Sequence, residues 1–200
     1  ISELMISINK GAIQLPDFQR GWVWEDGRIK ALIASITNNY PVGAAMFLEY
    51  GNDNIRFKYR VIEGVTATDV IPTELILDGQ QRLTSIYSSL YSRNAVHTRT
   101  DKGKKIFRYY YIDIKKACDP NCDRVDAIFS VPETRIITSN FGRDIELDLS
   151  DRTKEFENKM FPLNLILDFP EEQNWQNEYY AFYNYNQEII KEFTEFNKKI

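Results

Sequence analysis

The chain has 200 residues, with 25 Lys and Arg against 29 Asp and Glu and a formal net charge of -4. That length supports one substantial core, or one domain with an appended helix, and the charge excludes a uniformly basic nucleic-acid-coating protein while leaving room for a local basic patch. No run of about 18 apolar residues occurs, so no membrane-spanning helix is expected, and residues 1–9 alternate apolar with polar and lack the basic start of a signal peptide.

The chain does not begin with Met and is expected to be a piece of a longer protein. Two cysteines in 200 residues make no disulfide framework, which points to the cytoplasm. Cys118 and Cys122, in "CDPNC", read as a turn. A structural zinc would need two further ligands, and His97 is the single histidine.

In chain order, "GAIQLPDFQRGWVWEDGR" (11–28) predicts a short strand and then an extended loop, because Pro16 biases Leu15 away from helix. Trp22, Val23 and Trp24 read as packing anchors, and Asp26 as a helix cap. Ile29, Leu32, Ile33 and Ile36 then fall at i, i+3, i+4 and i+7, the spacing of an amphipathic helix. Pro41-Val42-Gly43 ends it, and "AAMFLEY" predicts a strand. "GNDN" (51–54) predicts a turn and "RFKYRVIE" the second strand of a hairpin. "TELILD" (73–78) reads as a more buried strand. A second helix after Gly79 places Leu83, Ile86, Tyr87, Leu90 and Tyr91 on one face, with Gln81, Arg82, Ser85, Ser88, Ser89 and Ser92 on the other.

The segment 92–108 carries Arg93, Arg99, Lys102, Lys104, Lys105 and Arg108 against one Asp, and reads as a solvated basic connection. "FRYYYIDI" and "RVDAIFSV" predict strands, "FPLNLILDF" is ambiguous, and residues 177–200 predict one long helix. Its stripe is Phe182, Tyr185, Ile189, Phe193, Phe196 and Ile200. Strands and helices in this order predict an α+β fold: a mixed sheet with flanking helices and a helical C-terminal extension. The expected division is a domain over 1–170 and the start of a helical region over 171–200.

The junction "ELILDGQQRLTSIY" (74–87) carries the chemistry. A buried strand passing straight into a helix leaves the first backbone N–H groups of that helix unpaired and aimed at the strand end, where the helix dipole also favours an anion. Gly79 permits the sharp turn and the close approach of a phosphate. Arg82 offers a forked phosphate contact, and Gln80 and Gln81 suit a phosphate, a base edge or an attacking water. Asp78 is placed to hold a magnesium ion or to fix Arg82. The plain alternative is that Asp78 caps a helix and Arg82 faces water. A second Gln-Arg pair, Gln19-Arg20 in "LPDFQR", sits on a loop stiffened by tryptophans and offers a second set of contacts to a polyanion.

"LPDFQRGWVW", an amphipathic helix ending in "YPVGAAMFL", and "LILDGQQRLTSIY" together resemble the N-terminal domain of the GmrSD-type modification-dependent restriction systems. The match covers about the first ninety residues, and more loosely "YYYIDI" and "FPLNLILD". The resemblance implies a ParB/sulfiredoxin-like core and nucleotide binding and hydrolysis at the DGQQR motif, in defence against modified phage DNA. It places Asp78, Gly79, Gln80, Gln81 and Arg82 in a nucleoside triphosphate site with Mg2+, with Gln19 and Arg20 nearby. The role assignment inferred from the chemistry is Arg82 and Arg20 on phosphates, Gln81 positioning water and Asp78 toward metal. Family members often carry a nuclease domain of the HNH type further on, so a nuclease in the same full-length chain or on a separate subunit is an expected partner. HNH chemistry needs a His base and metal-binding neighbours, which His97 alone does not supply. Two competing readings are a ParB-like DNA-binding module without catalysis, using Arg99, Lys102, Lys104 and Lys105 on DNA phosphates, and a protein-interaction scaffold. Thiol chemistry of the sulfiredoxin kind is disfavoured, since Asp119 and Asp123 flank the cysteines.

Overall fold

A computed structural model describes residues 1–51 and 57–200. Most of the expected 51–54 turn therefore lies outside the described residues. Residues 1–9 open the fold with a helix, α1 (Ser2–Asn9), whose Met5 and Ile8, three apart, are buried in the core. Next come β1 (Ile13–Pro16), α2 (Asp26–Thr37), β2 (Met46–Glu49), β3 (Tyr59–Arg60) and β4 (Glu74–Asp78). The four strands make a mixed sheet in the order β2-β4-β1-β3. The central pair, β1 and β4, is parallel, with Ile13 opposite Glu74. β2 joins β4 antiparallel and β3 joins β1 antiparallel. The expected hairpin between β2 and the 56–63 segment is therefore not formed. β3 is two residues long and crosses to the far edge of the sheet, because β4 takes the place beside β2.

This topology positions the junction. β1 and β4 run the same way, so the loops that follow them emerge at one end of the sheet. β2 runs opposite, so the loop that precedes it, 41–45, arrives at that same end, where Met46 lies opposite Asp78. From β4 the chain enters α3 (Gln80–Leu90). Leu83, Ile86, Tyr87 and Leu90 are buried as their spacing requires. The serine face is buried too: Ser85 and Ser89 donate to carbonyls four residues back, at 2.7 and 2.6 Å, which satisfies the hydroxyls away from water.

The basic segment is not a solvated loop. It folds into β5 (Val96–Arg99) and the start of β6 (Lys105–Asp113), an antiparallel pair with His97 opposite Phe107 and Arg99 opposite Lys105. A period-2 alternation of Val96, Thr98, Ile106 and Arg108 on one face was hidden by the charges on the other. After α4 (Ile114–Cys118) and α5 (Arg124–Ala127), β7 (Ile128–Pro132) pairs with β6. The strand expected over 124–131 therefore begins as one helical turn. The cysteine segment is a turn leading from the end of α4, both cysteines are free, and no cluster of three or more potential metal ligands exists among the described residues.

β8 (Ile136–Ser139) and β9 (Asp144–Asp148) form a separate hairpin. It leads through α6 (Arg152–Glu157) to β10 (Met160–Pro162), which pairs with the second half of β6. The expected long helix is two, α7 (Phe169–Phe182) and α8 (Gln187–Asn197). Asn184 and Tyr185 between them adopt left-handed φ values of 50° and 55°, and Asn186 caps α8 by accepting from the Glu188 and Ile189 N–H groups. Tyr185 thus leaves the expected stripe and is exposed, while Phe193 and Phe196 are fully buried. One core cluster extends from Met5 through Ile29, Leu83 and Ile112 to Trp175 and Phe196. The fold is α+β with a mixed sheet, flanking helices and a helical C-terminal part. No described helix is long and apolar enough to cross a membrane.

Candidate functional site

Three segments meet where β4 passes into α3. Gly79 makes the turn with φ 89°, a value that favours glycine. A Cβ there would lie 3.1 Å from the Ala45 Cβ, so the 41–45 loop packs directly on the turn. α3 has no side-chain cap. Asp78 does not cap it; its Oδ2 instead lies 3.4 Å from Arg82 Nη2, and its side chain is 72% exposed.

Both sequence-predicted Gln-Arg pairs are brought together. Gln19 donates from Nε2 to the carbonyls of Ile76 and Leu77, at 2.6 and 3.0 Å, and so ties the loop after β1 to the end of β4. Gln80 donates to the Arg20 carbonyl at 2.7 Å. Gln81 donates to the Gly21 carbonyl at 3.1 Å and accepts from the Val23 N–H at 3.0 Å. Trp22 adds its indole N–H to Ser85 Oγ at 3.0 Å. The doubled glutamine therefore grips the neighbouring loop by its backbone, which a mere helix cap would not require. In this structure the Gln81 amide has both its ends engaged.

Arg82 is similarly occupied. Its Nη1 donates to the Val42 carbonyl at 2.6 Å and its Nη2 to the Ala44 carbonyl at 2.5 Å. Gly43, between them, has φ 91°, and a Cβ there would fall 1.9 Å from Arg82 Nη1. The guanidinium thus replaces the side chain that position 43 lacks. Sequence reading missed this loop: "PVG" reads as a helix stop, and no periodicity links it to Arg82.

Around these contacts lies an open cavity of about 480 Å³, lined by Phe18, Gln19, Arg20, Trp24, Leu77 and the whole Asp78–Arg82 stretch. Arg20 is exposed at this cavity and makes no ion pair among the described residues. Phe18 and Trp24 were not singled out as site residues, although both sit in the motif that holds Gln19 and Arg20. Of the basic residues, Arg99 pairs with Glu25 at 3.5 Å. Lys105 lines a second cavity, together with Arg99, Trp22 and Trp24. Lys102 and Lys104 stand exposed at the hairpin tip. The hairpin is docked beside the loop of the first site, since Thr98 Oγ1 donates to the Trp24 carbonyl at 2.7 Å.

A single carboxylate beside an uncapped helix start fits Mg2+ only in the form in which phosphates supply most of its other ligands. Asp78 would be that carboxylate.

Fold and site together define a class: an α+β domain whose parallel strand pair ends in a corner where side chains of α3 hold two neighbouring loops by their backbone carbonyls. The family model of the GmrSD restriction endonuclease N-terminal domain matches residues 1–200, and the chain belongs to that family. It is also 30% identical over 196 residues to an uncharacterized protein of Methanocaldococcus jannaschii. That match covers 95% of this chain but 31% of the archaeal protein, so the chain spans about a third of that relative's length.

Proposed function

We propose that the corner between β4 and α3 binds a nucleoside triphosphate with Mg2+ and hydrolyses it, as the nucleotide-responsive part of a DNA-modification-dependent restriction protein that acts in the cytoplasm. The observation that carries this reading is the uncapped start of α3 opening onto the cavity that Arg20 and Asp78 line. Backbone N–H groups and a nearby guanidinium are the donors a polyphosphate needs. Mg2+ would neutralise charge across the phosphate oxygens.

The roles follow from which groups are already engaged. Arg20 is the phosphate contact. Asp78 would hold the metal. Arg82, held to the 42 and 44 carbonyls, fixes the wall of the site and reaches phosphate only at its edge. Gln80 and Gln81 hold the 19–23 loop closed, and Gln81 reaches an attacking water only when its bond to Val23 opens. Such a bond couples the occupancy of the site to the position of the loop. The mixed sheet with its parallel central pair supports the ParB/sulfiredoxin-like core that the family resemblance implies. Modified DNA as the sensed target, and a nuclease as the effector, complete the reading.

Calorimetric titration of the four nucleoside triphosphates with Mg2+ tests it. The wild type should bind at least one of them, and Arg20→Ala should weaken that binding about tenfold or more, the scale of a charge-assisted hydrogen bond. Absence of binding for all four overturns the reading.

A further inference from the structure

The second cavity, of about 420 Å³, lies between the Trp22–Trp24 strip and the β5–β6 hairpin. It is distinct from the triphosphate corner, sharing only Trp24 with it. Its hairpin wall takes Val96 and Thr98 from one face of the antiparallel pair and His97, Arg99 and Lys105 from the other, and on that second face His97 lies opposite Phe107 and Arg99 opposite Lys105. His97 and Phe107 stack on each other with centroids 4.7 Å apart and planes 12° from parallel. Burial does not explain that pair: His97 is exposed, and Phe107 is 46% exposed. Two positions along the same face come Arg99 and the exposed Lys105, and beyond them, at the hairpin tip, the exposed Lys102 and Lys104. Of the carboxylates nearby, Glu25 stands beside Arg99 at 3.5 Å and Glu63 beside Arg60 at 3.9 Å, and Asp101 at the tip accepts from the Lys102 backbone N–H at 2.9 Å.

A stacked aromatic pair open to solvent, with cations leading from it along the hairpin to the tip and a tryptophan-lined cavity beside its histidine, has the two components that unpaired nucleic acid requires. These are a flat π surface for a base and positive charge for the backbone. A duplex keeps its bases stacked inside and offers such a surface nothing. We infer that this hairpin face binds an unpaired nucleic-acid strand, with a base laid on the Phe107–His97 pair and the following phosphates on Lys105 and the hairpin tip. The inference rests on the reading of the protein as one that acts on DNA, but not on the triphosphate site.

The test is fluorescence anisotropy of the 1–200 chain with a labelled 15-nucleotide dT strand and with a 15-bp duplex, at low and moderate salt. The single strand should bind more tightly than the duplex and quench tryptophan emission from Trp22 and Trp24. Phe107→Ala should weaken single-strand binding about tenfold and leave duplex binding unchanged, while Phe107→Tyr restores it. Paired substitution of Lys102 and Lys105 by Ala should flatten the salt dependence for the single strand by up to about 0.7 per lost phosphate contact. Equal affinity for both forms, indifference to Phe107→Ala, or no binding at low salt overturns the inference, and the last outcome would leave the face to a protein partner. The same samples titrated with nucleoside triphosphate separate the two sites. Arg20→Ala should lose triphosphate and keep the dT strand, and failure of triphosphate binding alone would sink only the first reading.

Discussion

Around Trp175 the molecule is closed by rings. The indole stacks on Tyr179 and Phe193 and meets Phe156 and Phe161 edge-on, at centroid separations of 5.0 to 5.7 Å. At the end of β1 and β4 it is closed by amides and a guanidinium on backbone carbonyls, with open space a few ångströms away. The first region removes apolar area from water, and such pairs add about 0.5–1.5 kcal/mol each beyond their area. The second gains only about 1 kcal/mol for each neutral bond, but each bond has a direction and places one backbone segment relative to another. The aromatic half supplies stability, and the amide half supplies geometry at a surface that a ligand can reach.

The most damaging single change to the fold should be Trp175→Ala. It removes a fully buried ring and leaves the Glu155 carboxylate without the indole N–H that donates to it at 2.9 Å. A loss of about 3–5 kcal/mol is expected in urea unfolding, with triphosphate affinity of the remaining folded protein unchanged.

Gly43→Ala is the corresponding break in the amide half. The new Cβ collides with Arg82 Nη1 and must also adopt a left-handed backbone. Stability should fall by about 2 kcal/mol, less than for Trp175→Ala, but triphosphate affinity should fall with it. A Gly43→Ala protein that unfolds earlier yet binds normally would show that the Arg82 wall plays no part in the site.

The smallest effect concerns pH. Burial raises the pKa of Glu155, against the lowering influence of its bonds to Trp175 and Tyr111 and of the nearby Arg135. The folded protein therefore holds this proton more tightly than the unfolded chain does. The resulting contribution is fully present below the unfolded carboxylate value, about 4.3, and is lost as pH rises through the folded value. Glu155→Gln keeps hydrogen-bonding atoms at both positions and abolishes the titration. Wild type should lose stability relative to Glu155→Gln as pH rises from 4.5 to 7.5. Parallel stability profiles for the two proteins would show that Glu155 titrates alike folded and unfolded.

Strong local patterns carried through from sequence to structure. The spacing of Ile29, Leu32 and Ile33 forms α2, and the Leu83–Leu90 spacing forms α3 with those residues buried. Weak or mixed patterns did not. β5 and the first residues of β6 are masked because their outward face is cationic, and a charged run reads as a loop unless the alternation beneath it is noticed. The break between α7 and α8 rests on Asn184 and Tyr185 in left-handed conformation, which asparagine tolerates but does not announce. Asp26, which read as a cap, is the first residue of α2 and accepts instead from Tyr110 and Ser130, at 2.8 and 2.7 Å. Those partners lie 84 and 104 residues away, beyond the reach of any local rule.

By itself the sequence determined the strand–Gly79–helix junction, the two Gln-Arg pairs and the buried faces of the early helices. Each depends on contacts within a few residues, where periodicity and backbone preference act directly. Only the tertiary structure decided what the polar residues hold. The parallel pairing of β1 with β4 brings positions some sixty residues apart to one sheet end. There Gln80 and Gln81 become a grip on a neighbouring loop, Arg82 fills the space over Gly43, and Arg20 alone of the two arginines makes no ion pair among the described residues.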